Sequence, residues 1–333
     1  MNEPDHRKSL EVRDFNARSP AAAGAPRHYG EALVEAALRD ERIVCLTADL
    51  TLPTETDLFR DRIPERFHQV GIAEANMVGI AGGLARSGEV PFVHSFCVFA
   101  TRRCYDQVAM QVAYPRTNVK IVGVIPGLTT MLGVSHQAID DIALMRALPN
   151  MTVIEPSGSE QVRAAVAAIA EHDGPVYLRL KRADGTEKAA GAAATDFRIG
   201  RMRVLREGRD GLIVACGMMV DIAMAAAERL AREQTAVTVV DMATIKPLDP
   251  ALADLARQVP LVVTAENHSV IGGLGSAVAE LLMERDVHVK FRRVGVRDTF
   301  AEGGTTAYLF EKYGLSEEAL ADAFRKAARG AAP

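Results

Sequence analysis

The residues best suited to chemistry fall within a short span. Glu74 stands in Gly71-Ile72-Ala73-Glu74-Ala75-Asn76-Met77, a single acid in an apolar segment. Ser95-Phe96-Cys97-Val98-Phe99 begins twenty-one residues after it and carries two aromatic rings three residues apart. A carboxyl group drawn into apolar surroundings has its charged form disfavoured and can carry a proton at neutral pH. Two rings at that spacing could grip a flat heterocycle. An acid beside a ring clamp, with no nucleophile nearby, suits a protein that activates an organic cofactor rather than one that attacks substrate itself. Taken singly, each group has a plainer reading. An acid at a helix start favours the helix dipole, and phenylalanines mostly fill cores.

Such groups need rigid elements to hold them. From Tyr29 onward, helical and strand-like segments alternate. Residues 43–47 read as a short buried strand ending at Asp49, 77–84 as a small-residue helix, 119–124 as a strand and 161–170 as a helix. A second alternating unit starts at 211–217, with strands at 237–240 and 261–264 and helices at 220–232 and 274–282. Strands separated by helices predict a parallel sheet covered on both faces. The expected organisation is two α/β domains: a flexible arm over 1–27, a first domain over 28–188, a linker over 189–199 and a second domain over 200–330. The low-complexity run Ala189-Ala190-Gly191-Ala192-Ala193-Ala194 marks the linker.

Composition removes several functional classes. With 333 residues, 48% of them hydrophobic, the chain can bury the cores of two domains. A formal charge of -4 without a basic stripe argues against nucleic acid. Cys45, Cys97, Cys104 and Cys216 have neither metal-type spacing nor a secreted disulfide pattern. No apolar run is long enough to span a bilayer and the N-terminus has no apolar signal core, so a reducing cytoplasm is expected. Gly272-Gly273-Leu274-Gly275-Ser276-Ala277 follows a strand and opens a helix, like a dinucleotide fingerprint. The acid that fingerprint requires is missing, for Phe291-Arg292-Arg293 stands there. Close helix–strand packing is the expectation.

Ordered motifs then carry a resemblance over residues 30–330. They include Ala48-Asp49-Leu50, Gly71-Ile72-Ala73-Glu74, Phe99-Ala100-Thr101, Tyr105-Asp106-Gln107, Ser135-His136-Gln137 and Ala147-Leu148-Pro149-Asn150-Met151. Ile245-Lys246-Pro247-Leu248-Asp249, Glu266-Asn267-His268 and Asp298-Thr299-Phe300 continue the series. The chain resembles the C-terminal, pyrimidine-binding subunit of two-chain transketolases. That resemblance implies thiamine diphosphate held between two kinds of chain, and transfer of a ketol or acyl unit from a ketose or 2-oxo donor to an aldehyde-type acceptor. It implies that Glu74 bonds a ring nitrogen of the cofactor, that Phe96 and Phe99 pack on its pyrimidine, and that Asp49 supports cofactor or partner. His136 and Arg182 would face substrate, with His94 shaping the pocket. For these residues plainer readings stand beside the functional ones: Asp49 as a cap, His136 bonded to backbone, His94 satisfied in the core, and Arg182 with Arg179 and Lys181 on a solvated basic face.

The Gly-Asp-Gly motif of the diphosphate side is absent from the sequence. Mg2+ or Ca2+ would therefore be held by an N-terminal-type partner subunit, with two copies of each chain expected in a heterotetramer. Residues 130–137 read Thr-Met-Leu-Gly-Val-Ser-His-Gln where the family pattern is Gly-Glu-Asp-Gly-x-Thr-His-Gln, and Ile125 stands in place of an upstream histidine. Apolar groups in place of polar ones change which substrate fits, so a donor or acceptor other than a standard pentose phosphate is expected. Two competing readings are the beta subunit of a 2-oxo acid dehydrogenase and a non-catalytic regulatory paralogue.

Overall fold

The computed structural model describes residues 27–181 and 197–330. Residues 1–26 of the expected arm, Arg182, and 189–196 of the expected linker lie outside them. The first sheet is built from β1 (Ile43–Thr47), β2 (Phe67–Gln69), β3 (Val90–Phe96), β4 (Lys120–Val124), β5 (Thr152–Ile154) and β6 (Val176–Leu180). Its helices are α1 (His28–Arg39), α2 (Asp57–Arg62), α3 (Glu74–Arg86), α4 (Cys97–Thr101), α5 (Tyr105–Gln107), α6 (Asp141–Ala147) and α7 (Ser159–Glu171). The second unit has β7 (Arg203–Arg206), β8 (Gly211–Ala215), β9 (Val237–Asp241), β10 (Thr244–Lys246), β11 (Leu261–Ser269) and β12 (Lys290–Val296). Around them lie α8 (Met219–Arg232), α9 (Ala251–Ala256), α10 (Leu274–Glu284), α11 (Thr306–Lys312) and α12 (Glu317–Ala328).

Every residue of β1, β3, β4 and β6 is buried, as expected of parallel strands with both faces covered. The period of two sorts their side chains. Ile43, Cys45 and Phe92 share a core with Leu33 of α1 and Val166 of α7, while Val44, Leu46 and Val93 pack with Met77 and Ala81 of α3. The second sheet, in the order β12-β11-β8-β9-β7, is parallel except for β7. Leu212 and Val214 of β8 face the same core as α3, whereas Ile213 and Ala215 face α8 and α12. One apolar core therefore runs from the first domain into the second.

The seven-stranded sheet has the order β10-β5-β6-β4-β3-β1-β2. Its outermost strand, β10, pairs antiparallel with β5 and comes from beyond the linker. The sequence division near residue 190 thus does not separate the two sheets cleanly, because an edge strand of the first is supplied by the second unit and covers an otherwise open edge. Two central strands, β3 and β6, escape the sequence pattern because they carry His94, Ser95 and Arg179 at fully buried positions. Strand β11 likewise runs five residues past the apolar segment 261–264, through buried Glu266, Asn267 and His268.

The glycine run at 272–275 packs helix against strand. Glu266 accepts hydrogen bonds from the Leu274 N–H (2.7 Å) and Gly275 N–H (2.9 Å), and a Cβ at Gly273 would fall on the Glu266 carboxylate. Burial pushes the Glu266 carboxyl up to about 8. Among the described residues no helix is long and apolar enough to cross a membrane.

Candidate active site

Glu74 is placed by a turn. Gly71 adopts φ 73°, which favours glycine, and the chain then enters α3 with Glu74 as its first residue. Gln69 clasps this approach to the end of β1: its Oε1 accepts from the Asp49 N–H (2.8 Å) and the Gly71 N–H (3.2 Å). Its Nε2 donates to Asp49 Oδ1 at 3.4 Å. The carboxyl of Glu74 is 3% exposed. Ser95 Oγ donates to its Oε1 at 3.1 Å, and Arg103 Nη1 lies 3.4 Å from each oxygen. Among the described residues Oε2 is held only by that long contact to half-exposed Arg103, which leaves this buried acceptor able to take a further N–H.

Phe96 ends β3 and Phe99 lies in the following helix α4. Their ring centroids are 6.0 Å apart at an interplanar angle of 36°. Two stacked faces around a third ring need about 7 Å, given preferred aromatic separations. The pair is thus a wall rather than the two-sided clamp expected from spacing. His136 extends the wall edge-on to Phe99, with centroids 5.0 Å apart, and its Nδ1 is 2.9 Å from Ser135 Oγ. Partial burial, and secondarily the Arg103 charge, hold His136 below the usual imidazole range, which favours the neutral ring at pH 7.

The structure thus brings together Glu74, Phe96, Phe99 and His136, which lie up to 62 residues apart in the chain. Asp49 sits on the adjoining loop, exposed, at φ 59°, and is bonded to Gln69 rather than to Glu74. It does not cap a helix. His94 is not at the wall. It is fully buried, with Nε2 against Tyr29 Oη (2.5 Å) and Nδ1 against the Leu46 carbonyl (2.8 Å), so the reading as a substrate contact gives way to that of a satisfied core histidine. Arg103 was not legible as a site residue. Its guanidinium carbon stands 3.7 Å from the Phe99 ring centroid, the i,i+4 spacing on a helical path that places a cation over an aromatic face. Ser95 escaped notice as well, although strand alternation puts it opposite Phe96.

Arg179 corrects the picture of a solvated basic face. It is wholly buried at the junction of the two domains. Its Nε bonds Asp141 Oδ2 (2.7 Å), its Nη1 bonds Glu155 Oε1 (2.7 Å), and its Nη2 donates to the carbonyls of Ala138 and Asn267 (3.0 Å each). Tyr177 Oη also donates to Asp141 Oδ2 at 2.6 Å. Burial works against the charge of Asp141, but Arg179, together with His268 and the Tyr177 hydroxyl, keeps the carboxyl below its ordinary range.

Two buried histidines set an acid limit on stability. Burial lowers both His94 and His268 from 6.5 to about 4, despite backbone acceptors that favour the proton. A folded pKa below the unfolded one means that the unfolded chain binds more protons between those values. Stability is then full above about 6.5 and falls as the pH drops. The expected loss at about pH 5 is about 2 kcal/mol for each histidine. Urea midpoints at neutral and acidic pH measure it, and His94→Gln should flatten the slope. Equal midpoints at the two pH values would contradict this account.

Known proteins resemble both domains of the chain. A model described as "Transketolase, pyrimidine binding domain" matches residues 26–187, and one described as "Transketolase, C-terminal domain" matches 200–320. A 6-deoxy-6-sulfo-D-fructose transketolase subunit from Clostridium sp. (strain MSTE9) is 48% identical over 294 residues, 88% of this chain and 90% of that protein. The chain belongs to the transketolase family. A putative transketolase C-terminal section from Methanocaldococcus jannaschii is 41% identical over 90% of this chain and 94% of that one. A solved structure described as a split gene transketolase, inactive beta4 tetramer, matches with a TM-score of 0.84 at 46% identity, covering 91% of this chain and 97% of that chain. These likenesses to split transketolase subunits favour the transketolase reading over a 2-oxo acid dehydrogenase.

Proposed function

We propose that this chain is the pyrimidine-side subunit of a split transketolase that forms its active site with a diphosphate-binding partner subunit. The observation that carries the reading is the buried Glu74, with one carboxyl oxygen held only by a 3.4 Å contact to half-exposed Arg103, beside an aromatic wall. Those residues fit the aminopyrimidine of thiamine diphosphate, which offers ring nitrogens to an acid and a flat face to phenylalanine. When bound, the cofactor supplies a carbon nucleophile, which protein side chains lack. Glu74 holds or gives a proton at Oε2, and Ser95 orients the carboxyl through Oε1. Phe96 and Phe99 keep water from the acid. His136, neutral at pH 7, can donate to or take a proton from a substrate oxygen.

Metal ligands for Mg2+ or Ca2+ are assigned to the partner, because the Gly-Asp-Gly motif is missing from this sequence. The solved relative described as an inactive beta4 tetramer supports the same dependence and a likeness of assembly, with this chain pairing with itself inside a heterotetramer. The transferred unit is proposed to be a two-carbon ketol. The altered loop Thr130-Met131-Leu132-Gly133-Val134 points away from a standard pentose phosphate donor, and the Clostridium relative's name makes a sulfonated ketose the first donor to try.

The test is co-expression with the candidate partner, followed by titration of thiamine diphosphate with magnesium into the mixture and into the chain alone. Binding confined to the mixture is expected. Phe99→Ala should weaken that binding about tenfold, the worth of one aromatic face. Tight binding by the chain alone would remove the partner from the scheme. A stable complex that binds no cofactor would favour a regulatory paralogue.

A further inference from the structure

We infer that Asn267, in the second domain, is a positioning residue that fixes the conformation of the loop carrying His136. The loop, residues 125–139, leaves the end of β4 and leads into α6. Its part in shaping the substrate side rests on the function proposed above; the clamp itself does not.

Asn267 is fully buried on β11, yet its side chain serves a loop of the other domain. Its Nδ2 donates to the Pro126 carbonyl (3.1 Å) and its Oδ1 accepts from the Leu128 N–H (2.9 Å), so one amide holds both sides of Gly127. Its Nδ2 also lies 3.4 Å from Met218 Sδ. Gly127 has φ 52°, and a Cβ there would fall on Asn267, so the fit admits no larger residue. The Gly127 N–H in turn donates to the Ala138 carbonyl at 3.0 Å, closing the base of the loop. Arg179 joins the same base to β11 through the carbonyls of Ala138 and Asn267. At the far end Gln137 Nε2 donates to the Glu302 carbonyl (3.0 Å), and Gly133 rests against Gly303.

Ile125 provides independent evidence that the loop is constrained. Its φ of 63° lies in the left-handed region, where a β-branched side chain is a genuine outlier. Such a conformation persists only where its surroundings over-determine it, and outliers of this kind gather at ligand sites. The Asn267 amide grips the very next residue. A polar residue that merely satisfied its own strand would leave Ile125 free to relax.

Two variants of the full chain test this. Asn267→Leu keeps the branching at Cγ in a somewhat larger side chain and removes both bonds, whereas Asn267→Asp keeps the acceptor for Leu128. In the leucine variant, amide exchange over 125–139 should rise about tenfold or more, the scale of one or two lost hydrogen bonds. Protection in β8 and β9 should hold. The His136 imidazole, followed by NMR, should titrate closer to 6.5 as the freed loop rehydrates it and moves it from Arg103. Asn267→Asp should restore part of both signals. Unchanged exchange over 125–139 would overturn the inference. So would exchange that rises equally across the five-stranded sheet with His136 unmoved, since Asn267 would then be ordinary core. Both measurements use the chain itself, so a failure of cofactor binding in the assembly would count against the proposed function alone.

Discussion

Glu74→Ala is expected to lower turnover of the assembled enzyme about a thousandfold, the middle of the range for losing a positioned acid–base group. Glu74→Gln should do nearly as badly, because an amide of the same shape cannot exchange the proton. The fold should survive both changes. The direct partners of the carboxyl are Ser95 Oγ and Arg103, and Arg103, at 47% exposure, can return to water. The stability cost is therefore on the order of 1 kcal/mol. Steady-state rates at saturating thiamine diphosphate, beside urea midpoints of the same samples, separate the two effects. Turnover within tenfold of the parent would mean that Glu74 does not activate the cofactor.

Arg179→Met should produce the largest loss of stability, about 3–5 kcal/mol, because it strips a buried cation from two buried carboxylates. Asp141 and Glu155 are 2.7 Å from that guanidinium, at relative side-chain exposures of 0% and 3%. Methionine can fill much of the volume but neutralises neither acid. The loss should shrink as the pH falls, since in the variant Asp141 no longer has the charge that keeps it ionised and can take up a proton instead. In the parent, the Asp141–Arg179 contribution is present above the ordinary aspartate value near 3.8 and is lost only as the pH falls through the lowered folded value. Arg179→Lys should recover little, because a point charge cannot make the forked contacts to Asp141, Glu155 and two carbonyls. Urea denaturation at two pH values measures all three proteins. A cost below about 1 kcal/mol for the methionine variant would mean that the domain junction does not depend on this pair.

Reading the chain for pattern served best where burial follows apolar periodicity. Segments 119–124, 161–170, 220–232 and 274–282 correspond within a few residues to β4, α7, α8 and α10, since each buries a regular face. It served worst where polar groups are buried. Strands β3 and β6 and the end of β11 carry His94, Ser95, Arg179 and the Glu266-Asn267-His268 run inside the protein. A sequence cannot show that these find partners on distant segments. Arg103 was missed for a similar reason, because its role depends on the short 3-10 turn at 102–104 that packs against α3.

The residues able to do chemistry, and the family to which they point, were already present in the order of the amino acids. An acid among apolar neighbours and two rings at fixed spacing are local facts, preserved however the chain is later packed. The joining of those residues required the folded chain. Glu74 is joined to Phe99 and His136 through Arg103 only because parallel strands deliver their carboxyl ends to one side of the sheet, as open α/β sheets do. The one-sided wall, the core role of His94 and the clamp from Asn267 depend on distances between residues far apart in sequence. Such contacts arise from long-range packing and the pairing of buried polar groups, which no local pattern encodes.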